Sequence, residues 1–259
     1  MRCIRRISNK YTKGAKTLKL LIIRHGDPDY VNDSLTEKGW KEAEYLAEML
    51  ADMNIDYIYT SPYGRARNTA SATLRKLGRT AEVMPWLREF DILIDRPDDT
   101  TKKRIPWDWL PADWTIHEEF YSKDDWHKNR LMAEGNVYEE YRMVTDELDA
   151  LLARHGYVRE GGYYRAERPN HDTIALFCHF GCEAVLLSHL WNVSPMVVWH
   201  GFCAQPSSVT TLVTEERRRG IASFRMLAFG ETAHLKAHDE EPAFAARFCE
   251  CYDDETRHD

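Results

Sequence analysis

Residues 18–28 read Leu-Lys-Leu-Leu-Ile-Ile-Arg-His-Gly-Asp-Pro, and the fold follows from how this stretch changes character halfway. Its first half is a short apolar run, β-branched at Ile22 and Ile23, the pattern of a strand buried on both faces. Its second half puts Arg24, His25 and Gly26 where that strand ends, and Pro28 cannot continue a sheet interior. In open α/β sheets, ligands bind beyond the carboxyl ends of the strands. A guanidinium, an imidazole and a glycine at such an edge suit an anion, with Gly26 letting the backbone bend and a ligand approach closely.

Working outward, Ser34 or Thr36 can cap a helix with Glu37 in its first turn and Trp40, Ala43, Leu46, Ala47 and Leu50 on one face. Residues 54–60 read as the next strand, ending at Ser61-Pro62. A second helix is expected from Gly64 to Leu77 and a short strand over residues 81–84. This alternation implies an α/β three-layer sandwich, its central sheet mostly parallel with helices on both faces. Residues 91–136 break the pattern with prolines at 97, 106 and 111 and tryptophans at 107, 109, 114 and 126. They read as an irregular insertion over the strand ends, with the tryptophans anchoring it to the core in preference to forming a lid. The helical period resumes over residues 137–153, with Val144, Leu148, Leu151 and Leu152 inward, and Gly161-Gly162 marks a hairpin. Residues 172–178 form a further buried strand ending at His179, a helix spans 181–190, and final strands cover 207–213 and 224–229. The expected organisation is a basic extension over 1–17, one domain over 18–230, and a charged, partly ordered tail over 231–259.

A chain of 259 residues can bury a large core as one domain. Its formal charge of −7 argues against broad nucleic-acid binding. No apolar run is long enough to span a bilayer, and the basic start has no apolar stretch of the kind a secretory signal needs. Cys3, Cys178, Cys182, Cys203, Cys249 and Cys251 are therefore expected as free thiols, and the protein as cytoplasmic.

The second strand runs into Ser61-Pro-Tyr-Gly-Arg-Ala-Arg, which places Arg65 in the first turn of a helix. Free N–H groups and a partial positive charge there favour an anion. Arg67, two residues on, points elsewhere. His179 arrives at the same edge as His25. Two histidines and two arginines at one edge of an acidic protein call for an anion, and a phosphoryl group accepts several charge-assisted bonds from guanidinium donors.

Leu-Ile-Ile-Arg-His-Gly, Leu-Thr-Glu-Lys-Gly, Thr-Ser-Pro-Tyr-Gly-Arg-Ala and Cys-His-Phe-Gly, in this order over residues 18–213, resemble the histidine phosphatase superfamily, the phosphoglycerate-mutase-like enzymes. The resemblance implies that fold. It makes His25 the transiently phosphorylated nucleophile, and Arg24, Arg65 and His179 the groups that hold the phosphoryl oxygens. It implies Glu89 as the acid that protonates the leaving oxygen. Some branches carry Asp after the second histidine as proton donor; Phe180 stands there here, so Glu89 takes the role, with Asp27 and Asp91 as runners-up. Asn32 stands one place later than in the mutase pattern and is kept as a phosphate-binding candidate. The long mutase segment for sugar-acid phosphates has no counterpart between Glu89 and Asn136, which favours the phosphatase branch. The expected activity is metal-independent hydrolysis of a small phosphorylated metabolite, with no cofactor, no metal, and no nucleic-acid or membrane partner. A homodimer remains open. The alternatives are a phosphoglycerate-type mutase and an inactive member that binds a phospho-ligand or a protein.

The roles set physical requirements. His25 attacks only as neutral imidazole, which neighbouring guanidiniums favour, and a backbone carbonyl on its other nitrogen would fix the tautomer. Glu89 must start protonated, so its pKa must be raised. Rival readings are weaker. Cys178, His179 and Cys182 lack the spacing of a known zinc module, and Cys178 points away from His179 on a strand. His171-Asp172 lacks further ligands, His200 is structural or rims the pocket, and Ser207 and Ser208 begin a strand with no catalytic role.

Overall fold

The computed structural model describes residues 17–244. The expected extension, all but its last residue, and residues 245–259 of the tail lie outside the described residues, as do Cys3, Cys249 and Cys251.

Strand β1 (Lys19–Arg24) is the centre. Leu20 and Ile22 join the larger core while Leu21 and Ile23 join a second core on the other face, all essentially without exposure. That alternation is why the segment reads as a continuous apolar run. Helix α1 (Glu37–Ala51) and helix α2 (Gly64–Leu77) flank the second core, to which they contribute Leu46, Leu50 and Ala70. They are joined by β2 (Tyr57–Thr60), and β3 (Glu82–Val83) follows. The opposite face is covered by α3 (Val137–Arg154), which buries Val144, Leu148, Leu151 and Leu152 as the periodicity predicts. A hairpin of β4 (Tyr157–Glu160) and β5 (Tyr163–Ala166) turns at Gly161-Gly162, with Gly161 at φ 58°. Then come β6 (Thr173–Cys178), α4 (Phe180–Trp191) and α5 (Pro195–Gly201). The antiparallel pair β7 (Val209–Arg218) and β8 (Ile221–Glu231) and a short helix α6 (Ala233–Lys236) complete the chain.

Among the described residues the main sheet has eight strands in the order β3-β2-β6-β1-β7-β8-β5-β4. β3, β2, β6 and β1 run parallel; β7, β8, β5 and β4 continue the sheet antiparallel. The parallel half is the one that carries the strand-end site. Two hairpins, β4–β5 and β7–β8, supply the strands of the other half, and a tight turn can return a chain only antiparallel. Register does the positioning: Arg24 pairs with Cys178 and Phe177 with Thr60, so His25, His179 and Ser61 emerge side by side.

Trp40 departs from the sequence expectation. Trp40 is 38% exposed, and Gly39 and Glu42 take the inner face with Ala43, Leu46, Ala47 and Leu50. The cause is a close approach: a Cβ on Gly39 would lie 2.2 Å from the Asp27 carbonyl oxygen, so the start of α1 docks on the loop after β1 and turns Trp40 outward. Thr36, and not Ser34, caps the helix, accepting from Gly39 N–H at 3.1 Å. The tail does not leave the domain at Glu231: His234, Leu235 and Ala243 are buried against it. The insertion behaves as anchored, with Trp107, Trp109 and Trp126 in the larger core. Cys178 and Cys182 are buried in that core as well. No helix among the described residues is long and apolar enough to cross a membrane.

Candidate active site

His25 is the first residue past β1, and its backbone is held from both sides. Its N–H donates to the Cys178 carbonyl at 3.0 Å, and its own carbonyl accepts from Ser207 N–H at 2.9 Å. The ring is 1% exposed, with Nδ1 2.7 Å from the Gly26 carbonyl oxygen. A carbonyl only accepts, so Nδ1 carries the proton and Nε2 keeps the lone pair. Burial, followed by the charges of Arg24 and Arg65, drives the His25 pKa well below its ordinary value. The ring is therefore neutral at physiological pH.

His179 caps α4, and its ring centroid lies 5.0 Å from that of His25. Its Nε2 is 2.8 Å from Ser61 Oγ, while Nδ1 is buried with no hydrogen-bond partner among the described residues. Burial first, then His25 and the two arginines, push its pKa far down. Both histidines are thus neutral, and the positive charge of the cluster resides on the guanidiniums. Arg24, 1% exposed, donates from Nη1 to the Ala204 carbonyl at 2.6 Å. Arg65, in the first turn of α2, donates from Nη1 to Asp33 Oδ1 at 2.7 Å and lies over the Tyr63 and Tyr30 rings at 4.8 and 5.5 Å. Its Nε is buried with no partner among the described residues. Two buried donors without acceptors at one strand edge mark where an anion's oxygens fit.

Glu89 follows a short 3₁₀ turn (Pro85–Leu87) in Trp-Leu-Arg-Glu-Phe. Its Oε1 accepts from Phe90 N–H at 2.8 Å and Cys182 N–H at 3.1 Å, and the side chain lines a cavity of about 460 Å³ with Tyr30, Tyr63, Arg65 and Trp107. Burial raises its pKa, outweighing the two N–H donors and both arginines. A half-buried carboxyl whose acid form burial favours, close to the Arg24 and Arg65 guanidiniums, suits proton donation to a leaving oxygen. Gly181 makes room for it: a Cβ there would lie 2.7 Å from both Glu89 Oε1 and Trp107 Nε1. Gly181→Ala is expected to displace the carboxyl and lower kcat by about 10²-fold, more than it raises KM, in steady-state assays.

The remaining candidates part company. Asn32 is exposed, and its amide donates to Asp29 Oδ2 at 2.7 Å in a turn closed on itself, so it is not brought to the cluster. The next residue, Asp33, lines the cavity. Asp33, at φ 45°, accepts from Gly64 N–H at 2.6 Å and pairs with Arg65. Asp27 accepts from the Thr36 hydroxyl at 2.7 Å, which occupies it as a cap partner. Asp91 reaches the cavity but accepts from Tyr63 OH at 2.8 Å and pairs with Arg88 at 2.9 Å. Arg67 is exposed and turned away, as its spacing predicts. His200 stacks on Trp114 at 5.0 Å, and Asp172 sits 3.5 Å from His155, so neither joins the site. Among the described residues no group of three or more His, Cys, Asp or Glu is arranged to hold a metal.

Sequence reasoning missed the layer beneath. Ser207 adopts φ 58°, a left-handed conformation uncommon for serine, and its Oγ is 2.9 Å from His234 Nε2 on α6. Gly26 N–H donates to Thr69 Oγ1 at 2.9 Å. Glu42 accepts from Asp27 N–H at 2.8 Å and Ala243 N–H at 3.3 Å. None of these carries a motif, because each is joined to His25 only through folded backbone. Burial lifts the Glu42 pKa to about 7, and that of Glu183 likewise. A carboxyl whose folded pKa lies above its unfolded value loses stability as pH rises from the unfolded value through about 7. The loss for Glu42 is about 3 kcal/mol. Buried neutral histidines act in the opposite direction below about pH 6.5, so the variant difference is the clean readout. Glu42→Gln is expected to gain stability relative to the parent by about 3 kcal/mol between pH 5 and 8, read from paired denaturant curves.

A family model described as the histidine phosphatase superfamily (branch 1) matches residues 20–226. Solved structures of similar fold include a phosphoserine phosphatase from Entamoeba histolytica, 19% identical, with a TM-score of 0.54 over 84% of this chain and 99% of that one. A mycobacterial glucosyl-3-phosphoglycerate phosphatase is 19% identical, with a TM-score of 0.52 over 83% and 99%. An α-ribazole phosphatase from Shigella flexneri is 17% identical, with a TM-score of 0.50 over 83% and 96%. At these identities the likeness establishes the fold. No curated protein matches the sequence.

Proposed function

Because this chain belongs to the histidine phosphatase superfamily, we propose that it is a phosphomonoester hydrolase that works through phospho-His25 on a small phosphorylated metabolite, without a metal. The observation that carries this is the state of His25: neutral, with Nδ1 tied to the Gly26 carbonyl and the Nε2 lone pair available, beside Arg24, Arg65 and His179.

Ser61 Oγ accepts from Tyr63 N–H at 3.2 Å, so its own proton can go to His179 Nε2. That leaves His179 Nδ1–H as a donor to a phosphoryl oxygen. Arg24 and Arg65 supply the positive charge that an equatorial oxygen cluster needs in an in-line transfer. In the first step the His25 Nε2 lone pair forms a bond to phosphorus. The phosphorus–oxygen bond to the alcohol breaks, and that oxygen takes the Glu89 proton. In the second step the Glu89 carboxylate takes a proton from water, whose oxygen attacks phosphorus. The phosphorus–nitrogen bond breaks, and His25 returns neutral with phosphate released. The phosphatases of like fold, whose substrates are small phosphate esters, are consistent with this reading.

The test is hydrolysis of p-nitrophenyl phosphate in the presence of a chelator. Turnover is expected to persist. Loss of turnover on chelation would favour a metal-dependent reaction, and transfer of phosphate between the hydroxyls of a sugar acid would favour a mutase.

A further inference from the structure

The cavity that Glu89 lines has apolar and charged walls. Four of the groups lining it are the side chains of Tyr30, Tyr63, Ile105 and Trp107. The polar groups there are Asp33, Glu89, Asp91 and Arg65, so Arg65 is the sole cation among the lining residues. It is paired with Asp33. Arg88, just outside, is engaged by Asp91 and Glu140. A carboxylate on a leaving group would therefore meet the Asp33 and Asp91 carboxylates and find no guanidinium left for it.

The apolar walls are built to different degrees. Trp107 is 7% exposed, its indole N–H donating to the Phe90 carbonyl at 3.2 Å and its ring edge-on to Phe180 at 5.6 Å. It is a fixed wall. Tyr30 is 66% exposed, its ring beneath the Arg65 guanidinium at 5.5 Å. An exposed aromatic ring and a fixed one lining the same cavity of about 460 Å³ gain most from a flat apolar guest.

Resting on the hydrolase reading above, we propose that the preferred substrates are phosphomonoesters whose leaving group is uncharged and aromatic, held between Tyr30 and Trp107, and that carboxylate-bearing esters are disfavoured by Asp33 and Asp91. This selectivity is separate from the chemistry at His25, which is common to any ester.

The experiment compares kcat/KM for 2-phenylethyl phosphate, ethyl phosphate, 3-phosphoglycerate and phosphoserine; all four leaving groups are alkyl alcohols, so differences in leaving-group ability are small. The phenylethyl ester is expected to lead the two carboxylate esters by roughly 10²-fold. Tyr30→Ala should narrow the ratio of phenylethyl to ethyl phosphate by about tenfold, through KM more than kcat. Asp91→Asn should raise kcat/KM for 3-phosphoglycerate relative to phenylethyl phosphate. Equal or faster turnover of 3-phosphoglycerate or phosphoserine by the parent enzyme would overturn the proposal, and so would a Tyr30→Ala ratio equal to the parent's. Absence of turnover for every ester, p-nitrophenyl phosphate included, would overturn the hydrolase reading itself and the selectivity with it.

Discussion

His25→Ala is expected to abolish both turnover and the covalent intermediate, with kcat falling by roughly 10⁴–10⁶-fold. The residue supplies the only nitrogen at the β1 edge whose lone pair is freed by its own backbone, through the Nδ1 contact with Gly26. His179 cannot substitute. Its Nε2 is engaged by Ser61 and its position is fixed as the cap of α4. The fold should survive, because the backbone bonds of residue 25 to Cys178 and Ser207 do not use the side chain. Arg24 and Arg65 also remain, so the variant should still bind inorganic phosphate or vanadate while a rapid quench with labelled ester yields no phosphoprotein. Labelling of the variant at the parent's level would remove His25 from the role of nucleophile.

Glu89→Gln is expected to lower kcat by about 10²–10⁴-fold for alkyl phosphates and much less for p-nitrophenyl phosphate. The amide keeps an oxygen for Phe90 and Cys182 N–H but has no acidic proton, so the variant loses donation with little change in packing. A nitrophenolate departs without that proton; an alkoxide does not. The same group sets the pH profile. Burial raises the Glu89 pKa, so the acid form persists to higher pH than an ordinary carboxylic acid, and the rate for alkyl esters should fall tenfold per pH unit once the pH passes it. His25 imposes no limb near neutrality, since its own pKa is driven well below the usual histidine range. The alkaline limb should therefore vanish in Glu89→Gln. A limb unchanged in the variant, or equal slowing of both ester types, would take the role away from Glu89.

The strands and helices that build the site could be read from residue patterns because their causes are local. The bounds of α2 match the reading from Gly64 to Leu77, and α3 buries the four residues its periodicity marks. Arg24, His25, Arg65, Glu89 and His179 were likewise named from short motifs, and the parallel register of β1, β6 and β2 brings most of them to one edge. Asn32 shows where a motif stops helping: its amide closes a turn on Asp29, while the Asp33 carboxylate one place on meets Gly64 N–H and Arg65.

What the chain's own order of residues determined, then, is which side chains stand at the strand ends and which strands deliver them, since strand burial and helix capping depend on neighbours a few positions away. The tertiary structure decided the rest. Whether each histidine is charged depends on how many apolar atoms and guanidiniums surround it, and those come from elements far apart in the chain. The support from Ser207, His234 and Glu42, and the aromatic wall of the cavity, exist only once distant segments pack together, because desolvation and hydrogen-bond geometry are properties of three-dimensional surroundings and not of adjacency along the chain.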